Sequence, residues 1–252
     1  MGEVLLANAG NTFTSVGFWT GESVTRVTCI RTGVLLQNPD RICAAVGADG
    51  ESVWVMACCV LPEAQNALRE RFGQRILFLC SRMVNAVDFS GVDTETLGQD
   101  RIANVAAANA LYEPPVMIVD CGTAITTEVI DAQRRFRGGV IAPGRGLQRW
   151  ALEQGTGQLP NISCEHVSDT VTATCTVDAI AGGVDEGMTA AVGHWIAAVQ
   201  KELNMVCPAV ATGRDARFFC DRVRELEAAP PDFTLYGLGI AARSQFGGMN
   251  CC

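Results

Sequence analysis

Two short stretches of the 252-residue chain bring together residue types that can hold phosphate groups. The segment VLLANAGNTFTSVGF, Val4 to Phe18, overlays VMIVDCGTAITTEVI, Val116 to Ile130, without a gap. In each, four apolar residues form a short buried strand, followed by a polar residue (Asn8, Asp120), a small residue, a glycine (Gly10, Gly122), and then Asn or Thr. A second β-rich run completes the pattern of a hairpin. A residue without Cβ in the turn can take positive φ or let another group approach the backbone. Successive N–H groups in such turns form an anion-binding concavity, and Thr12, Thr14, Thr123 and Thr126 add hydroxyls. Either motif alone reads as well as an ordinary hairpin. Two copies, each opening a domain, favour phosphate binding.

The elements that must position these turns follow from periodicity. Val53 to Leu61 reads as a buried strand, Glu63 to Phe72 as a helix and Arg75 to Leu79 as a strand, after which strands and helices alternate as in an α/β protein. Gly98 to Tyr112 reads as a small-residue helix with Ile102, Val105 and Ala106 on one face. Pro114-Pro115 ends it and marks the expected boundary between a domain over 1–113 and a domain over 114–252. Beyond it, Leu147 to Gln154 and Val177 to Leu203 read as helices, and TLYGLG, Thr234 to Gly239, as a closing strand and turn.

Composition narrows the function classes. With 48% hydrophobic residues the chain can bury one large core or two moderate ones. Its longest apolar runs, such as Val53 to Leu61, fall short of the roughly 18 to 20 residues a bilayer span needs, so no membrane partner is expected. The opening MGEVLLANAG has no basic lead and carries Glu3, which predicts a cytoplasmic protein. The twelve cysteines are scattered, without a C-x-x-C pair, and Cys58-Cys59 and Cys251-Cys252 lack ligand spacing, so reduced and mostly buried thiols are expected rather than a zinc site. A net charge of −8 argues against a nucleic-acid partner. Any phosphate must be gripped locally.

With these residues in place the chain resembles the type III pantothenate kinases, a family within the superfamily of sugar kinases, actin and heat-shock ATPases. The likeness runs almost end to end. N-A-G-N-T at Asn8 to Thr12 resembles the family's D-x-G-N-T loop, A-C-C-V-L-P at Ala57 to Pro62 its S-S-V-x-P segment, and L-G-Q-D-R at Leu97 to Arg101 its G-x-D-R motif. D-C-G-T-A at Asp120 to Ala124 matches the second phosphate loop, and G-G-V-I-A-P-G at Gly138 to Gly144 is the most distinctive match. L-P at Leu159-Pro160, T-V-D-A-I-A-G-G at Thr176 to Gly183, T-G at Thr212-Gly213 and L-Y-G-L at Leu235 to Leu238 follow in order.

The resemblance implies an α/β fold of two ribonuclease H-like domains, the actin-like ATPase fold, each with a mixed sheet flanked by helices. It implies phosphorylation of pantothenate by ATP with Mg2+, a monovalent cation (K+ or NH4+) and a homodimer. Carried over by matching motif, Asp100 is the catalytic base, and Gly98, Gln99, Asp100 and Arg101 form part of the pantothenate site with Thr176, which reaches it across the dimer interface. Asn8, Ala9, Gly10, Asn11, Thr12, Phe13, Thr14 and Ser15 wrap the nucleotide phosphates, Thr123 contacts ATP and Asp120 holds the monovalent cation. The residue types suit these tasks. A carboxylate can accept the proton of a primary alcohol, and the planar fork of Arg101 can pair with the pantothenate carboxylate. Taken by themselves, Asp100 is a first-turn acid that stabilises a helix, Asp120 a turn carboxylate and Thr176 a helix N-cap.

Three departures stand out. Asn8 replaces the family's aspartate, keeping an acceptor oxygen while losing the charge that helps organise the metal on ATP. Arg214 stands where a second glycine is usual after T-G, and no tyrosine precedes Gly98. Two other readings remain open: a catalytically weakened member that binds nucleotide or pantothenate as a regulatory protein, supported by Asn8, and a kinase of the same superfamily acting on another small alcohol.

Overall fold

The computed structural model describes residues 3–168 and 170–246. In chain order the elements are β1 (Val4–Ala9), β2 (Phe13–Trp19), β3 (Val24–Arg31), α1 (Thr32–Gln37), α2 (Arg41–Val46), β4 (Trp54–Cys59), α3 (Pro62–Phe72), β5 (Ile76–Phe78) and α4 (Gln99–Leu111). They continue with β6 (Val116–Cys121), β7 (Ala124–Ile130), β8 (Ile141–Pro143), α5 (Arg145–Gly155), α6 (Thr176–Leu203), β9 (Ala209–Thr212), α7 (Ala216–Cys220), β10 (Leu226–Ala228) and α8 (Phe233–Phe246). Two compact units result. One comprises Met1–Pro114, Ile130–Arg137 and Pro230–Cys252, and the other Pro115–Val129 and Gly138–Ala229.

Each unit holds a five-stranded mixed sheet, in the orders β3-β2-β1-β4-β5 and β8-β7-β6-β9-β10, so the second sheet repeats the topology of the first. β1 runs antiparallel to β2 and parallel to β4; β6 runs parallel to β9, and β7 antiparallel to β8. The repeat extends to burial: β1 and β6 share one inside-outside pattern, and β2 and β7 share another. The gapless overlay of the two sequences holds for the first strands and slips by one residue in the second. The turn after β1 contains Gly10, Asn11 and Thr12, whereas the turn after β6 contains only Gly122 and Thr123.

The first sheet is covered on both faces, which is why Val4 to Ala7 are buried without alternation. Leu5, Ala7 and Ala9 meet Leu35, Ile42, Leu68 and Phe72 from α1, α2 and α3, while α4 and α8 pack on the other side. In the second unit Met117, Val119 and Cys121 pack against Met188, Val192 and Ile196 of α6 and Phe219 of α7. The expected helices and strands at 53–79, 98–112, 147–154 and 177–203 are present with ends shifted by at most two residues.

TLYGLG is a correction. These residues are helical, inside α8, and fall within the first unit. Gly237 and Gly239 are not turn residues: a Cβ on Gly237 would overlap the backbone of Ala103 in α4, and one on Gly239 would overlap the Trp19 ring. Missing side chains therefore let α8 lie directly on α4 and β2. Thr234 Oγ1 donates to Asn104 Oδ1 at 2.8 Å across the same contact.

All ten described cysteines are free, and Cys43, Cys58, Cys59, Cys121 and Cys207 are buried. Cys29, Cys80 and Cys175 are exposed, and Cys251-Cys252 lie outside the described residues. Burial pushes the Cys59 thiol up to about 12 and the Cys43 thiol up to about 11, which keeps both protonated and unreactive near neutral pH. Among the described residues no helix is long and apolar enough to cross a membrane.

Replacing Gly237 by alanine is expected to destabilise the protein by about 1–3 kcal/mol through overpacking against α4. Gly33→Ala, in α1 where nothing lies within 4 Å of the new Cβ, is expected to raise stability by up to about 1 kcal/mol. Thermal or urea unfolding of the two variants beside the parent checks both, and an unchanged midpoint for Gly237→Ala would refute the close-packing account.

Candidate active site

Register places the first polar residue. β1 pairs with β4 so that Asn8 lies beside Cys58, and with β2 so that Asn8 lies opposite Ser15. Asn8 Oδ1 accepts the Cys58 thiol proton at 3.1 Å. The turn that follows is braced from beneath: Gly10 N–H donates to Phe13 O at 3.0 Å, and Thr32 N–H to Thr12 O at 3.0 Å. The Thr32 hydroxyl donates to Gly10 O at 2.7 Å, so in the 3.1 Å contact between the Thr14 and Thr32 hydroxyls Thr14 is the donor. Thr14 is wholly buried and its hydroxyl serves this brace, whereas Asn11 and Thr12 are exposed at the tip. The sequence could not separate these threonines because one residue of strand register decides which way each hydroxyl points.

α4 begins just past Gly98, its N-cap, which has no side chain to cap with. Gln99 Oε1 accepts the Cys59 backbone N–H at 2.9 Å and ties the start of α4 to the end of β4. Gln99, taken with the substrate-binding motif, thus has a structural bond in this position. Asp100 is largely buried. Its Oδ1 accepts the Arg101 N–H at 2.9 Å, as a first-turn acid would, yet burial outweighs that bond and the nearby Arg101 charge and holds the Asp100 carboxyl above its ordinary range. A Cβ on Gly98 would fall 2.6 Å from Asp100 Oδ1. The glycine therefore leaves room for the carboxylate.

The second unit repeats the arrangement with different chemistry. β6 pairs with β9 so that Asp120 lies beside Thr212, as Asn8 lies beside Cys58. Gly213, at φ +90°, lies so close that a Cβ there would fall 2.6 Å from both Asp120 Oδ1 and Cys121 O. On the other side, Gly144 N–H donates to Thr123 O at 2.9 Å, and a Cβ on Gly144 would overlap the Gly122 carbonyl oxygen. Two glycines from separate motifs, G-G-V-I-A-P-G and T-G, thus wall the Gly122–Thr123 turn, and Thr123 itself is exposed. Arg214, next to Gly213, is exposed as well.

Thr176 is the first residue of α6 and exposed; the N-cap is Cys175, without a side-chain capping bond, so the N-cap role expected for Thr176 alone is not what the helix uses. Beside it, Asp178 Oδ1 lies 2.8 Å from His166 Nε2. Sequence reasoning missed a buried ion network behind the second turn, formed by Arg145 and Arg149 of α5 with Asp185 of α6. The signal was there to see: two arginines one turn apart on a short helix, and one aspartate inside the apolar stripe of Ala181, Val184, Met188 and Val192.

The two mixed sheets flanked by helices, with their repeated glycine hairpins, have the actin-like ATPase fold that the ROK sugar kinases share. A ROK family glucokinase from Streptomyces griseus has the same fold at a TM-score of 0.60, with 12% identity over 97% of this chain and 99% of its own. A Baf family transcriptional activator from Campylobacter jejuni reaches 0.65, with 16% identity over 97% of this chain and 100% of its own. Residues 4–198 match the family model of type III pantothenate kinase. The type III pantothenate kinase of Akkermansia muciniphila is 36% identical over 205 residues, 81% of this chain and 82% of that protein. The chain belongs to the type III pantothenate kinase family.

Because burial raises the Asp100 pKa, the folded state holds that proton more tightly than the unfolded chain. Stability from this group is complete below the ordinary aspartate range and is lost as pH rises through the raised folded value. Asp100→Asn keeps the acceptor oxygen for Arg101 N–H and removes this loss. The variant is expected to be more stable than the parent at neutral pH, with the difference shrinking towards acid pH. Unfolding midpoints measured across that range check it, and a gap independent of pH would exclude Asp100 as the cause.

Proposed function

We propose that the protein transfers a phosphoryl group from ATP to the primary alcohol of pantothenate, giving 4'-phosphopantothenate, the first step of coenzyme A biosynthesis. The match of residues 4–198 to the type III pantothenate kinases carries this reading. Phosphoryl transfer asks a protein mainly for in-line positioning and charge neutralisation, with modest proton movement. Asp100 is the base that takes the hydroxyl proton; its raised pKa brings it nearer the operating range of such a group. Arg101, next in the same helical turn, pairs with the pantothenate carboxylate. Asn11 and Thr12 at the exposed tip of the first turn, and Thr123 in the second, meet the phosphates, with Ala9, Gly10 and Phe13 supplying backbone and Thr14 and Ser15 shaping the strand beneath.

No group of three or more His, Cys, Asp or Glu that could hold a metal occurs among the described residues. Mg2+ binds chiefly through substrate phosphates and one or two carboxylates. Asp120 Oδ1 and Cys121 O lie together over Gly213, a set of hard oxygen donors suited to a cation, and Asp120 would hold the monovalent K+ or NH4+. Bound there, the cation supplies positive charge beside the ATP phosphates. The reading extends to a cytosolic homodimer in which Thr176, exposed at the start of α6, contacts pantothenate held by the partner subunit.

One observation favours a second reading, a nucleotide- or pantothenate-binding member with weak turnover: Asn8 offers the first turn an amide whose oxygen already accepts the Cys58 thiol. A coupled ADP-release assay with pantothenate, run with and without potassium, separates the two. Pantothenate-dependent ADP release stimulated by potassium is expected, and ADP release that ignores pantothenate would overturn the kinase assignment. In the same assay Asp100→Asn is expected to lower kcat by about a hundred- to ten-thousandfold with ATP binding nearly intact. Asn8→Asp is expected to lower the magnesium concentration that gives half-maximal rate, and superimposable magnesium titrations would remove Asn8 from the explanation.

A further inference from the structure

Asp185 lies in the middle of α6 with no exposed surface and is held by two buried arginines of α5. Arg145 Nε and Nη2 donate to its two oxygens at 2.7 and 3.1 Å, and Arg149 Nη2 donates to Oδ1 at 2.8 Å. Arg145 also reaches outward: its Nη1 lies 3.7 Å from Asp215 Oδ2, and its guanidinium stacks on Phe218 at 3.6 Å. Arg149 is completed by the backbone oxygens of Ser163 and His166, while its Nε has no partner among the described residues. Such a cluster is a poor device for stability, because desolvating three charges offsets most of their attraction and apolar replacements of similar volume are often neutral or stabilising. What it does supply is fixed geometry.

That geometry converges on the second turn. Arg145 follows Gly144, whose N–H bonds Thr123 O. Asp215, its other partner, donates its backbone N–H to Cys121 O at 2.9 Å. One arginine, anchored on Asp185, thus joins both walls of the Cys121–Thr123 segment, through its backbone to Gly144 and through its guanidinium to Asp215. We propose that Arg145, Arg149 and Asp185 form a positioning network that sets the spacing of Gly144 and Asp215 about the second phosphate turn and thereby sets ATP affinity. The proposal rests on the reading of this turn as a nucleotide site.

The test is the triple variant Arg145→Met, Arg149→Leu, Asp185→Leu, with Asp185→Asn as a second variant that keeps the shape of the anchor. Thermal midpoints, KM for ATP, KM for pantothenate and direct ADP binding are measured for each. The expected result is a folded protein whose KM for ATP and Kd for ADP rise by about tenfold or more while KM for pantothenate stays within about twofold, since small misplacements of a binding wall are costly. An unchanged KM for ATP in a folded variant overturns the proposal. So does a parallel rise of both Michaelis constants, or collapse of both variants, since each points to a merely structural role. Thr123→Val, run alongside, separates the two levels. Unaltered ADP binding in that variant would overturn the nucleotide reading of the turn, whereas weakened binding there with none in the network variants would overturn the network alone.

Discussion

A strand can deliver a side chain to a site only if its register against its neighbours is right, and in both sheets that condition falls on the parallel pair at the centre. β1 against β4 sets Asn8 beside Cys58, and β6 against β9 sets Asp120 beside Thr212. A slip of one residue would turn each polar group to the other face and bury it among aliphatic side chains. Val4 to Ala7 and Val116 to Val119 are buried without a break, and Asn8 and Asp120 are the first partly exposed positions after them. The hairpin turns, the start of α4 and the glycines about the second turn all take their positions from these two pairings.

The two halves use one plan for unlike chemistry. In the second, a carboxylate closes the strand and two glycines from distant motifs press against the turn. In the first, an amide closes the strand, the turn is one residue longer, and a chain of hydroxyls from Thr14 through Thr32 to Gly10 O props it from below. The longer turn carries Asn11 and Thr12 on an exposed tip. A carboxylate thus stands at the second turn, and neutral donors at the first. A protein of net charge −8 that handles an anionic nucleotide needs this kind of local division, since its long-range field opposes the ligand.

Much of this was legible from the residues. Apolar runs bounded by turn residues gave the central strands, and small-residue periodicity gave α4 and α6, because both signals are local. The repeated hairpin was visible as spacing, though the extra residue in the first turn was not, since Thr12 and Ala124 fill aligned positions without clashing in a written overlay. TLYGLG was misread because glycine has two uses that look alike in sequence. It permits unusual φ, and it permits close approach; α8 uses the second, and only the position of Ala103 and Trp19 shows it. The Arg145–Asp185–Arg149 network joins residues up to forty positions apart, so no local pattern could pair them.

Asn8 brings these strands of reasoning to one point. Loss of the family carboxylate at the first turn would cripple a site that relied on that turn for charge. In this fold the amide oxygen takes up a thiol proton from the neighbouring strand, an arrangement a neutral acceptor can hold without desolvating an ion next to a buried sulfur. In α4 of the same unit, partial burial holds the Asp100 carboxyl above its ordinary range, and Gly98 leaves it space. A carboxylate whose pKa is raised and which a neighbouring glycine leaves room for is an arrangement commoner at functional sites than elsewhere, which favours turnover over mere binding.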